Sequence, residues 1–116
     1  MKVDKVFVSV NARDFEAQMR WWAQLLARRW DREPMPSCRE WDLAGGAVLF
    51  QVLDSPAGAG GTAVTLHVDH LDPVVKRLRD RGVVVPDPVK VEGFDNLRYC
   101  RFADPEGNEV GLLDGA

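Results

Sequence analysis

The chain has 116 residues, 46% of them hydrophobic and 28% charged, which suits one compact domain burying roughly 65% of the surface of its unfolded chain. A formal charge of -3 argues against a protein that wraps duplex nucleic acid, and the basic cluster Lys76, Arg77, Arg79 and Arg81 is interleaved with Asp72 and Asp80, as on a solvated helix face. The opening MKVDKVFVSV is too short and too regularly alternating for a signal peptide, and no apolar run approaches the ~18 residues of a membrane span. A cytoplasmic protein without membrane or nucleic-acid partners is therefore expected. Cys38 and Cys100 have no CxxC spacing and read as two reduced, structural thiols.

Lys2 to Val10 alternates, with Val6, Val8 and Val10 on one face and Phe7 and Ser9 on the other, the pattern of a strand packed on one side. Asp14 is placed to cap a helix whose apolar stripe runs through Phe15, Met19, Trp22 and Leu26, widened by Trp21, Ala23, Leu25 and Ala27. Pro34 and Pro36 stop any continuation. Cys38 to Leu43 reads as a short strand, Gly45-Gly46 as a turn, and Ala47 to Leu53 as a strand apolar enough to be buried on both sides. SPAGAGG, residues 55–61, reads as a flexible linker; no helix opens behind its glycines and it has no lysine, so a phosphate-cradling loop is disfavoured.

Thr62 to Val68 alternates again. Asp72 then reads as a helix N-cap with Pro73 at the first helical position; Leu71, Val74, Val75 and Leu78 form the stripe, and Gly82 ends the helix. Val83 to Val85, Val89 to Val91 and Leu97 to Phe102 look like strand pieces broken by Pro86 and Pro88. Asp104-Pro105-Glu106-Gly107-Asn108 is a tight turn that launches a last alternating strand.

This order is a repeat. Laying Phe15-Glu16-Ala17 over Leu71-Asp72-Pro73 also lays Val8 over Val64, Val10 over Leu66, Met19 over Val75 and Trp22 over Leu78, at a constant offset. The pattern predicts an α+β fold of two βαβββ modules, about 1–54 and 62–116, forming a curved mixed sheet with a central cleft and its helices on the outer face.

The ARDFEA helix start, the VDHLDPVVKRLRDRG unit and the closing RFADPEGNEVGLL, in that order and spacing, resemble the vicinal oxygen chelate (VOC) superfamily of glyoxalases, extradiol dioxygenases and bleomycin-type resistance proteins. The resemblance spans nearly the whole chain. It implies metal ligands, usually His, Glu or Gln, on the first and last strand of each module. Carried over, those positions are Phe7, Gln51, Ala63 and Gly111, of which only Gln51 has a donor atom. Metalloenzyme activity is thus disfavoured; no metal or other cofactor is expected, and no catalytic residue is assigned.

Strand parity puts Phe7, Ser9, Gln51, Thr65, His67, Tyr99 and Arg101 on the cleft side, and these are the candidate ligand-binding residues, with Gln51, His67, Tyr99 and Arg101 in one pocket. The bland alternative is a filled sheet face or a subunit contact. His67 reads as a hydrogen-bonded structural histidine more readily than as a general base, since no carboxylate is placed beside it by sequence. A Cys100, His67, Asp104 triad should fail because parity sends Cys100 to the helix side. Trp30 and Trp41 have no direction forced on them, so either could reach a ligand. The reading is metal-independent binding of a small organic molecule, as the resemblance to the resistance proteins implies. The rivals are a metal-dependent lyase, isomerase or dioxygenase of the glyoxalase type, and a ligand-free interaction module. Open sheet edges, and the habit of the family, lead us to expect a homodimer.

Overall fold

The computed structural model describes residues 1–115 and contains two helices and eight strands in two four-stranded mixed sheets. The chain divides into two compact units, Met1–Thr62 with Pro105–Asn108, and Ala63–Asp104 with the chain from Glu109 onward.

In unit 1, strand β1 (Val6–Ala12) runs parallel to β4 (Val48–Asp54), which pairs antiparallel with β3 (Cys38–Leu43), and β3 with the edge strand β2 (Arg32–Met35). Helix α1 (Phe15–Leu26) starts where the sequence says it should, because the Asp14 carboxylate accepts from the Ala17 amide at 3.2 Å. It buries Met19, Trp22 and Leu25, with Phe15 and Leu26 only half-buried. Trp22 is fully enclosed and lies on Phe50 of β4, ring centroids 4.7 Å apart. Trp41, cross-strand partner of Phe50, is also fully buried and donates its indole N–H to the Arg28 carbonyl at 3.1 Å. It is core and closed to a ligand, whereas Trp30 is half-buried, packs edge-on against it and donates to Glu33.

The strand β2 has no counterpart in the sequence reading, where Pro34 stood as a breaker. A bulge between Arg32 and Met35 and the position at the sheet edge accommodate it, since an edge strand has amides that need no ladder partner. The turn before β4 is a short 3₁₀ segment, Ala44–Gly46.

In unit 2, β5 (Ala63–His67) runs parallel to β8 (Glu109–Asp114), which pairs antiparallel with β7 (Arg98–Ala103), itself flanked by the two-residue β6 (Val89–Lys90). Helix α2 (Leu71–Asp80) ends as the sequence predicts: Gly82 takes φ +85°, its amide reaches the Arg79 carbonyl, and the Val83 amide reaches Leu78.

Its start is different. The capping position is His70, without a side-chain bond, and Asp72 and Pro73 are the second and third helical residues. The Leu71 amide is instead bound by the buried carboxylate of Asp114, 43 positions away, at 2.7 Å. Arg98 donates to the same carboxylate at 2.9 Å and to Asp72 at 3.1 Å. The hydrogen bonds from Arg98, aided by that from Leu71, hold the Asp114 carboxyl below its ordinary value, and the Arg98 guanidinium rises correspondingly.

Val83 to Val85 forms no strand. The Val85 carbonyl is taken by the Arg79 guanidinium at 2.7 and 3.0 Å, and Pro86 and Pro88 follow. Cys38 and Cys100 are free and buried, and burial raises both thiol pKa values. Among the described residues no helix is long and apolar enough to cross a membrane.

Candidate functional site

Each sheet has one face under its helix and one face turned away from it, and the candidate residues are on the second. In unit 1 the pairing places Phe7 opposite Leu49, and Ser9 opposite Gln51, which is opposite Glu40. Ser9, Gln51, Glu40 and Arg32 thus form one row across all four strands. The row is hydrogen bonded: Ser9 Oγ donates to Gln51 Oε1 at 2.9 Å, and Gln51 Nε2 donates to Glu40 Oε2 at 2.6 Å. Arg32 Nε lies 3.5 Å from Glu40 Oε1, and its terminal nitrogens fork onto Asp42. Glu40 is only 8% exposed. Phe7, by contrast, is 59% exposed.

In unit 2 the rows are Thr65, Gly111, Arg101 and His67, Leu113, Tyr99, Val89. Thr65, His67 and Arg101 are exposed and Tyr99 is half-buried, while Val64, Cys100, Val110 and Leu112 face the core. Thr65, His67, Tyr99 and Arg101 thus lie on the sheet face opposite these core residues. Arg101 pairs with Glu109 at 3.2 Å, an ion pair mostly open to water. His67 Nε2 is 2.6 Å from the Gly115 carbonyl, which can only accept, so this nitrogen carries the hydrogen of that bond. Its partner is a backbone carbonyl, not a carboxylate, and Cys100 is buried on the other face of the sheet, so the triad has no geometry.

The structure thus groups Phe7, Ser9 and Gln51 on one sheet and Thr65, His67, Tyr99 and Arg101 on the other. Glu40 and Arg32 are absent from the sequence-derived set. The alternation Cys38, Glu40, Asp42 would have put Glu40 on a face, but choosing the face needs the β3–β4 register, and Arg32 lies on the strand that went unread.

A model of the glyoxalase-like domain family matches residues 7–113. The chain belongs to this family, within the VOC superfamily. Among solved structures the glyoxalase-like chain is similar to a glyoxalase/bleomycin resistance protein from Catenulispora acidiphila, at 27% identity over 97% of this chain and 98% of the other, with a TM-score of 0.83. TnmS3, an antibiotic-binding protein from Streptomyces sp. CB03234, is 23% identical over 100% and 97% of the two chains, TM-score 0.80. A lactoylglutathione lyase from Agrobacterium tumefaciens shares the fold at 14% identity, covering 99% and 96%, TM-score 0.76. Curated proteins give no match.

The glyoxalase-like fold implies a metal, and the residues present do not fit one. Phe7, Ala63 and Gly111 offer no donor atom. At Gly111 a Cβ would stand 3.0 Å from Thr65 Oγ1, so a ligating side chain could enter only by displacing Thr65. Gln51 already spends its amide on Ser9 and Glu40. A neutral amide alone does not offset the dehydration of a divalent ion. Among the described residues no group of three or more His, Cys, Asp or Glu could hold a metal elsewhere.

Proposed function

We propose that the protein binds a small, flat, partly polar organic molecule on these sheet faces without a metal. The observation that carries this reading is the row Ser9, Gln51, Glu40: a hydrogen-bonded polar chain laid across a sheet face, at the position where a metal-using relative would put a ligand. Phe7 beside it, and Tyr99 and Leu113 on the second sheet, supply apolar and aromatic contact area. The antibiotic-binding neighbour supports the reading by analogy of fold only.

A screen of planar small molecules, read by saturable change in intrinsic fluorescence, is expected to return binders. Tyr99→Ala should weaken them by about 1–3 kcal/mol, the loss of an aromatic contact. Arg101→Ala should affect only anionic or carbonyl-bearing ligands. Elemental analysis of protein purified without chelator should find no stoichiometric transition metal. About one metal ion per chain, lost with Gln51→Ala, would favour the metal-dependent enzyme. An empty screen, or binders indifferent to Tyr99 and Gln51 together, would favour an interaction module.

A homodimer is part of the proposal. Strands β1 and β2 are the two edges of their sheet, and Val6, Phe7 and Met35 on them are at least half exposed. Light scattering at micromolar concentration should give twice the 13.0 kDa chain mass, and a particle of that single mass would refute it.

A further inference from the structure

The row in unit 1 has a direction. A carboxylate offers only acceptors, so the Gln51 atom 2.6 Å from Glu40 must be its nitrogen, and this turns the Gln51 carbonyl toward β1. There Ser9 Oγ donates to it at 2.9 Å. Every hydrogen in the chain thus points from β1 toward β3. Ser9 has spent its only hydrogen inward and keeps lone pairs, Gln51 Oε1 keeps a second lone pair, and Gln51 Nε2 keeps one N–H. On the same face Glu40 and Asp42 share one cation, Arg32, at 3.5 Å and 2.5 Å respectively. The face therefore presents mostly acceptors and an excess negative charge, beside the exposed ring of Phe7.

We propose that Glu40 is a positioning residue that locks the Gln51 amide, and that unit 1 thereby selects flat aromatic ligands bearing nitrogen–hydrogen donors, cationic ones above all, and disfavours carboxylates. Glu40, only 8% exposed, acts through Gln51 more than by touching the ligand. A carboxylate brought to this row would meet lone pairs and two carboxylates that share one guanidinium, whereas an amidinium would find acceptors for its fork of N–H groups. The inference rests on the binding proposed above and adds the chemical class of ligand.

The test uses one scaffold in three charge states, benzamidine, benzamide and benzoate, titrated into the full chain while the side-chain amide resonances of Gln51 are followed by NMR. Benzamidine is expected to shift those resonances saturably and to bind about tenfold or more tighter than benzoate, a difference of about 1.4 kcal/mol, with benzamide between them. In Glu40→Gln the new amide can donate as well as accept, Gln51 is free to turn over, and the preference should fall to about threefold or less. Should that variant fail to fold, Glu40→Asp keeps the charge but draws the carboxylate back from Gln51 Nε2, and the preference should again fall to about threefold or less. Benzoate binding as tightly as benzamidine, or a preference unchanged in Glu40→Gln or in Glu40→Asp, would overturn the inference and leave small-molecule binding standing. Binding of none of the three would count against both.

Discussion

Trp22→Ala is expected to lower the unfolding free energy by about 3–5 kcal/mol, the range for truncating an enclosed tryptophan. Trp22 has no exposed surface, lies 4.7 Å from the Phe50 ring and meets Trp21 edge-on at 5.3 Å. The indole fills the space between α1 and β4, and the rings of Phe50 and Trp41 behind it cannot all move in to close the gap. Against a total stability of roughly 5–15 kcal/mol, this is enough to leave a substantial unfolded fraction on mild heating. Trp22→Phe, which keeps a ring against Phe50, should cost less. Urea unfolding followed by circular dichroism measures both; a loss below about 1 kcal/mol for the alanine variant would mean that the site collapses or hydrates readily.

The second large effect is at Asp114. Asp114→Ala removes the acceptor from the Leu71 amide and one of the two partners of Arg98, and should cost about 1–3 kcal/mol near neutral pH. The pH dependence has a definite sign. The folded-state pKa of Asp114 lies below the ordinary 3.8, chiefly through the Arg98 hydrogen bonds, so its contribution is complete above that value and is lost as pH falls through the folded-state one. The stability gap between the native protein and Asp114→Ala should therefore be flat from neutral pH to about 5 and close progressively below about 4. A gap that widens in acid would contradict the assignment. Arg98→Met should reproduce the narrowing, since it removes the main cause of the shift.

Asp114 also shows where sequence reading stops. The turn, the alternating strands and the two helical stripes were legible because their signals are local: Asp14 three residues before Ala17, Gly82 just past α2, Val64 and Cys100 one residue away from Thr65 and Tyr99. The start of α2 was misplaced because its first amide is satisfied by a carboxylate from the other end of the unit, leaving Asp72 to bind Arg98 from inside the helix. Strand β2 was hidden by Pro34, whose meaning depends on whether a strand is central or at an edge. Without β2 and the β3–β4 register, the sequence could offer Gln51 as a lone amide but not the row in which it is fixed. Parity gives the face on which a side chain lies; only pairing gives its neighbours.

The turn Pro105–Asn108 belongs by sequence to the second repeat and by packing to the first unit. Its Glu106 carboxylate accepts from the Arg13 and Asp14 amides at 2.7–3.0 Å, Asn108 Oδ1 accepts from the Thr62 amide at 2.9 Å, and Gly60 is tight enough on the Glu106 carbonyl that a Cβ there would come within 2.6 Å. A polypeptide cut after Thr62 would carry a complete βαβββ sequence yet leave those three amides without these acceptors, just ahead of α1 and at its own carboxyl end. The boundary of the duplication is therefore not the boundary between the two compact units. A first half made alone would need Glu106 and Asn108 supplied in trans by the second before those amides could regain their native hydrogen bonds.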